Sequence, residues 1–155
     1  MRPAAEARLV GPLGQGQKVF ALFDSGSDYS LAAPWMAMEV GVDLEACTKT
    51  HVQVGGKARG IRLAETTLRL CPPTTTHGAG GHPCDDEYSL SWTAEVGFFT
   101  NWDAPPWLLI LGQVGFFDHF TVVMNRHAQA VAVEPLERFD EIYGTDLPPG
   151  PTLGD

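Results

Sequence analysis

An all-β protein with one short helix is the fold class predicted by this 155-residue sequence. Three observations carry that prediction. Apolar runs are short and are punctuated by Gly, Pro, Asn and Asp, the texture of strands joined by turns. Two strand-like segments flank Gly55-Gly56, a pair that bends a hairpin easily because glycine accepts positive φ. Pro34–Val40 is the best helix candidate, with Pro suited to a first turn, Ala and Met as good helix formers, and Gly41 as the stop.

In chain order, Leu9-Val10-Gly11 reads as a first strand and Gly14-Gln15-Gly16-Gln17 as a turn. Val19–Phe23 is continuously apolar, the pattern of a strand buried on both faces, and it stops abruptly at Asp24-Ser25-Gly26-Ser27-Asp28. After the helix, His51-Val52-Gln53-Val54 and residues 61–70 form the hairpin arms. Residues 71–87 are rich in Pro, Thr, Gly, His and acids without apolar period, and read as an inserted surface loop. Strand signals return over residues 88–99, with Leu90, Trp92, Ala94 and Val96 on one face. Trp107-Leu108-Leu109-Ile110-Leu111-Gly112 is a second apolar strand closed by Gly, residues 116–120 a short helix or turn, and residues 120–124 and 130–133 final strands. Residues 1–8 read as a leader, 9–134 as one domain, and 135–155 as an acidic, Pro-rich tail. Val-Gly-Phe-Phe recurs at 96–99 and 114–117, too little to make a repeat.

Charge narrows the function. Nineteen acidic against ten basic residues give a net charge of −9, which opposes nucleic acid and anionic membranes as partners. The longest apolar stretch, residues 107–111, falls far short of the ~20 residues that span a bilayer. The opening residues lack a signal-peptide core, and three cysteines are too few for a disulfide-built scaffold. A cytoplasmic protein is expected.

The chemistry concentrates at Asp24. A carboxylate at the end of an apolar strand is costly unless it is paired or functional. By itself, Asp-Ser-Gly also describes an ordinary turn in which Asp and Ser cap a strand end. Its surroundings, Ala21-Leu22-Phe23-Asp24-Ser25-Gly26-Ser27-Asp28-Tyr29-Ser30-Leu31, resemble the catalytic loop of the retropepsin-like, single-lobe aspartic proteases. Leu109-Ile110-Leu111-Gly112-Gln113-Val114-Gly115-Phe116-Phe117 resembles the second hallmark of that family, an apolar strand ending in Gly before a short helix. The resemblance covers roughly residues 9–134.

The resemblance implies a small closed β-barrel of acid-protease type that works as a homodimer, since the sequence holds one Asp-Ser-Gly and such chemistry needs two carboxylates sharing a proton. It implies Asp24 as the catalytic acid of each subunit and Ser25 as a link between the two loops. Gly26 and Asp28 would offer backbone groups to a peptide substrate. Val54, Gly55 and Gly56 form the tip of a candidate flap, because a closing lid needs small residues at its bend. No cofactor and no metal are expected. One departure stands out: family members commonly carry Arg after the second-hallmark Gly to tie the dimer, and this chain has Gln113, which implies a weaker dimer.

Two alternatives remain. One is an inactive peptide-binding module on the same fold. The other is a zinc protein using Cys71, His77, His82 and Cys84, whose spacing matches no common zinc pattern, so a solvated loop is favoured. A Cys71–Cys84 disulfide is disfavoured in a reducing compartment. His51, His119 and His127 are expected to be structural, and Cys47 a small buried hydrophobe. Phe98, Phe99, Trp102, Trp107, Phe116 and Phe117 are expected to fill the core or a dimer interface.

Overall fold

A computed structural model of the chain describes residues 4–71, 89–101, 108–127 and 130–143. The strands are β1 (Ala4–Gly11), β2 (Gly14–Gln15), β3 (Val19–Phe23), β4 (Leu31–Ala32), β5 (Thr48–Val54), β6 (Lys57–Leu70), β7 (Leu90–Phe99), β8 (Leu109–Leu111), β9 (Phe120–Asn125) and β10 (Ala130–Pro135). Helix α1 (Pro34–Val40) lies between β4 and β5, and α2 (Leu136–Tyr143) follows β10.

Six of these strands close a barrel. Hydrogen-bonded neighbours run β1, β3, β8, β4, β7, β6, and the β1–β6 pairing returns the ring to its start. Closure removes the unpaired edges that an open sheet would expose. Strand β6 is long enough to serve two partners along one side, pairing with β5 near its start and with β1 near its end. The β5–β6 hairpin therefore projects from the barrel wall. Strands β9 and β10 form a separate two-stranded sheet.

The core follows the strand period. Val19, Ala21 and Phe23 point inward from β3, and Trp92, Ala94 and Val96 from β7, with Leu9, Leu68, Leu109, Leu111 and Phe116 between them. Helix α1 closes one side with Met36, Ala37 and Val40 buried, and ends where Gly41 takes φ 79°. A second apolar cluster holds Leu31, Val52, Ile61, Phe99 and Ile110, with Tyr29, Val54 and Leu63 packed on it.

The structure departs from the sequence reading at three places. Strand β3 is buried on one face only, because a barrel wall has an outer side; Phe20 is 63% exposed there. Strand β1 begins at Ala4, so residues 4–8, read as leader, are barrel wall held by β3. The final strands lie outside the barrel, and the tail opens with α2 rather than an unstructured extension. The inserted segment 71–87 lies outside the described residues except for Cys71, as do Trp102 and Trp107. No helix among the described residues is long and apolar enough to cross a membrane.

Candidate active site

Strands β3 and β8 pair in parallel, with Phe23 beside Leu111. The two chains therefore leave the barrel side by side, one into Asp24 and the other into Gly112. This juxtaposition decides the site.

The Asp24 turn is held first by its own side chain. Asp24 Oδ1 accepts a hydrogen bond from Gly26 N–H at 3.0 Å, and the Ser27 N–H donates to the Asp24 carbonyl at 3.1 Å. The Asp24 N–H donates to the Leu111 carbonyl at 3.0 Å, continuing the ladder past the strand end. Asp24 is half-buried, while Ser25, Gly26 and Asp28 are exposed.

The loop after β8 then braces that turn from the side. Gln113 N–H donates to the Ser27 carbonyl at 2.8 Å, Val114 N–H to the Asp28 carbonyl at 2.9 Å, and Ser30 N–H to the Val114 carbonyl at 2.8 Å. Ser30 is fully buried, and its hydroxyl accepts from the Gly112 N–H at 3.1 Å. Glycine is required at 112 because the two backbones cross there. A Cβ would overlap the Tyr29 carbonyl oxygen and lie 2.5 Å from the Tyr29 carbonyl carbon. Gly115, at φ 93°, turns the loop back so that its carbonyl accepts from the buried Trp92 Nε1–H at 2.7 Å.

Gln113 carries the contact that sequence reasoning missed. Its Nε2 donates to the Ser25 carbonyl at 2.7 Å, within the same chain. The amide thus fixes the turn that follows Asp24. Its length and donor made this role available, but nothing in the sequence says that residues 25 and 113 meet. Ser30 was missed for the same reason; a buried hydroxyl is invisible until the loops cross.

The hairpin tip is a two-residue turn. Gly55 and Gly56 both have positive φ, 58° and 74°, between the paired Val54 and Lys57. That is the mirror-image turn whose twist suits a hairpin. Among the described residues nothing lies within 4 Å of where a Cβ would sit on either glycine. The second apolar cluster connects its arms, through Val52, Val54, Ile61 and Leu63, to Tyr29 and Leu31 beyond the Asp24 turn and to Ile110. The predicted residues therefore fall in two groups, Asp24, Ser25, Gly26 and Asp28 on one loop and Val54, Gly55 and Gly56 on the hairpin, whose arms share an apolar cluster with the segment after that loop.

The competing zinc arrangement loses a ligand. Cys71 is buried and disulfide-bonded, against the sequence expectation, so its sulfur is not a thiolate for zinc. His77, His82 and Cys84 lie outside the described residues. Among the described residues no three His, Cys, Asp or Glu side chains gather around a metal position. Cys47 is free and half-buried, with its Sγ donating to the Asp43 carbonyl at 3.1 Å. His51 and His127 are exposed, and His119 lies 3.6 Å from Asp118.

No protein family model matches this chain, and no curated protein matches it. Among solved structures it is similar to the retroviral protease-like domain of Ddi1 from Leishmania major. The sequence identity is 14% and the TM-score 0.47, over 86% of this chain and 89% of that one.

Proposed function

We propose that this protein is an aspartic-type endopeptidase that hydrolyses peptide bonds as a homodimer, each subunit contributing Asp24. One observation carries the reading: a half-buried carboxylate sits on a tight turn at a strand end, and the neighbouring loop makes five hydrogen bonds to that segment. Such preorganisation is wasted on a solvated turn and is what a reacting carboxylate needs.

The chemistry requires two carboxyls. One acts as general base on a water molecule, while the other, protonated, polarises the scissile carbonyl. The reaction needs one proton held on the pair, so activity favours acidic pH. This sequence carries one Asp-Ser-Gly, so the second carboxyl comes from a second copy. Ser25 lies on the exposed side of the turn, where it can meet its symmetry mate. An extended peptide would lie between this loop and the hairpin, using backbone groups near Gly26 and Asp28 and the tip at Val54, Gly55 and Gly56.

The test is Asp24→Asn, assayed on quenched fluorescent peptides beside sedimentation of the wild type. The expected outcome is a dimer at micromolar concentration whose cleavage is abolished by the substitution while its melting temperature is retained. Cleavage surviving in Asp24→Asn overturns the proposal. A chain that binds peptide but cleaves none is instead the inactive binding module.

A further inference from the structure

The β5–β6 hairpin has the opposite charge from the rest of the molecule. Residues 46–64 contain Lys49, Lys57, Arg59 and Arg62 and no Asp or Glu, within a chain of net charge −9. Arg62 is committed to the fold: it is buried, and its guanidinium donates to the Leu44 carbonyl at 2.7 Å and to Glu45 Oε2 at 2.9 Å. Lys49 and Lys57 are exposed on the hairpin, while Arg59 is half-buried.

Register says which way they face. Val54 lies opposite Lys57 and Val52 opposite Arg59, and directly paired residues share a face. Val52 is only 7% exposed and belongs to the apolar cluster with Ile61, Leu31 and Ile110. That cluster joins the hairpin to the segment beyond the Asp24 turn. Lys57 and Arg59 therefore stand on the hairpin face that packs toward the segment after the Asp24 turn, Arg59 beside the apolar patch and Lys57 nearer the tip. Lys57 is exposed and has no ion-pair partner among the described residues. Lys49 stands on the other face, opposite Arg62.

We propose, building on the peptidase function above, that the site selects acidic peptides: an apolar side chain seats on the second cluster, and an Asp or Glu a few residues away pairs with Lys57. Alternate positions of one strand face are about 7 Å apart, so an extended peptide can present both groups on one side. A cation covered by a closed substrate cleft needs a counter-charge, and a carboxylate on the peptide supplies it. The overall acidity of the protein sharpens the contrast, since a net charge of −9 disfavours an acidic peptide away from this basic hairpin.

The test uses two synthetic peptides with the same Leu-Phe centre, one flanked by Asp and the other by Asn. Cleavage is measured as kcat/KM with wild type and Lys57→Gln, and binding by fluorescence anisotropy with Asp24→Asn. The Asp peptide should be favoured roughly three- to fivefold, a preference that shrinks in Lys57→Gln and at high salt. Equal handling of the two peptides overturns the proposal, as does a preference that Lys57→Gln leaves intact, or binding of neither peptide. Cleavage without charge preference refutes the acidic selectivity alone. Preferential binding of the Asp peptide without cleavage refutes the peptidase function alone.

Discussion

Replacing Gly112 by Ala should disable the site through backbone geometry, without touching any reacting group. The new Cβ would overlap the Tyr29 carbonyl oxygen, lie 2.5 Å from the Tyr29 carbonyl carbon and 2.8 Å from the Ser27 oxygen. All three are backbone atoms, so no side chain can swing aside. Ordinary carbon contacts need about 3.5 Å, so the two loops must part by roughly 1 Å. The bonds from Gln113, Val114 and Ser30 that join them are 2.8–2.9 Å long. Stretching those by that amount takes them past hydrogen-bond range. Losing three such bonds, at about 0.5–1.5 kcal/mol each, costs about 2–4 kcal/mol. At about 2–4 °C per kcal/mol for a chain of this size, melting should fall by roughly 5–15 °C. Thermal unfolding followed by circular dichroism reads the stability, and cleavage of a quenched peptide reads the site. A variant that melts within about 2 °C of wild type and retains activity would refute the crossing-backbone account.

Other substitutions separate positioning from packing. Gln113→Ala removes the amide that donates to Ser25, and should lower kcat more than it raises KM, with a stability loss below about 1 kcal/mol; an unchanged kcat would leave that bond without a positioning role. Gly55→Ala and Gly56→Ala place a Cβ on positive-φ residues in open space, so each should cost about 1 kcal/mol and slow turnover by stiffening the tip. Equal kinetics in both variants would argue against a moving hairpin. Arg62→Ala leaves the Leu44 carbonyl without its guanidinium donor and should destabilise by about 1–3 kcal/mol, read in urea unfolding. The net charge of −9 predicts self-association that weakens as pH rises above neutral, checked by sedimentation across pH.

Much of the site was legible because turns are local. Asp24 followed by Ser25 and Gly26 signals its own bend, and the Asp24 side chain makes the 3.0 Å bond to Gly26 that closes it. Gly55-Gly56 likewise specifies a tight hairpin, and Pro34 with Gly41 delimits α1. Less was legible where a residue's fate depends on a distant partner. Phe20 looks like core in an apolar run and faces outward. Residues 4–8 lack a strand-like composition, but partners in β3 and β6 make β1 a strand from Ala4 onward. Gln113 reads as the loss of a cation, yet it supplies the amide that steadies Ser25.

By itself the sequence determined the elements whose causes lie within a few residues: the alternation of strands, the one helix before Gly41, the glycine hairpin, the acidic turn and the excess of negative charge. The tertiary structure decided everything that requires two distant segments to share space. The ring closes only when residues 7–10 find residues 67–70, and no local pattern announces that register. Parallel pairing of β3 with β8 then carries Asp24 to Gly112, where a missing side chain lets two backbones cross. The hairpin face on which Lys57 stands is decided in the same way, because strand pairing, not composition, assigns a residue to a face.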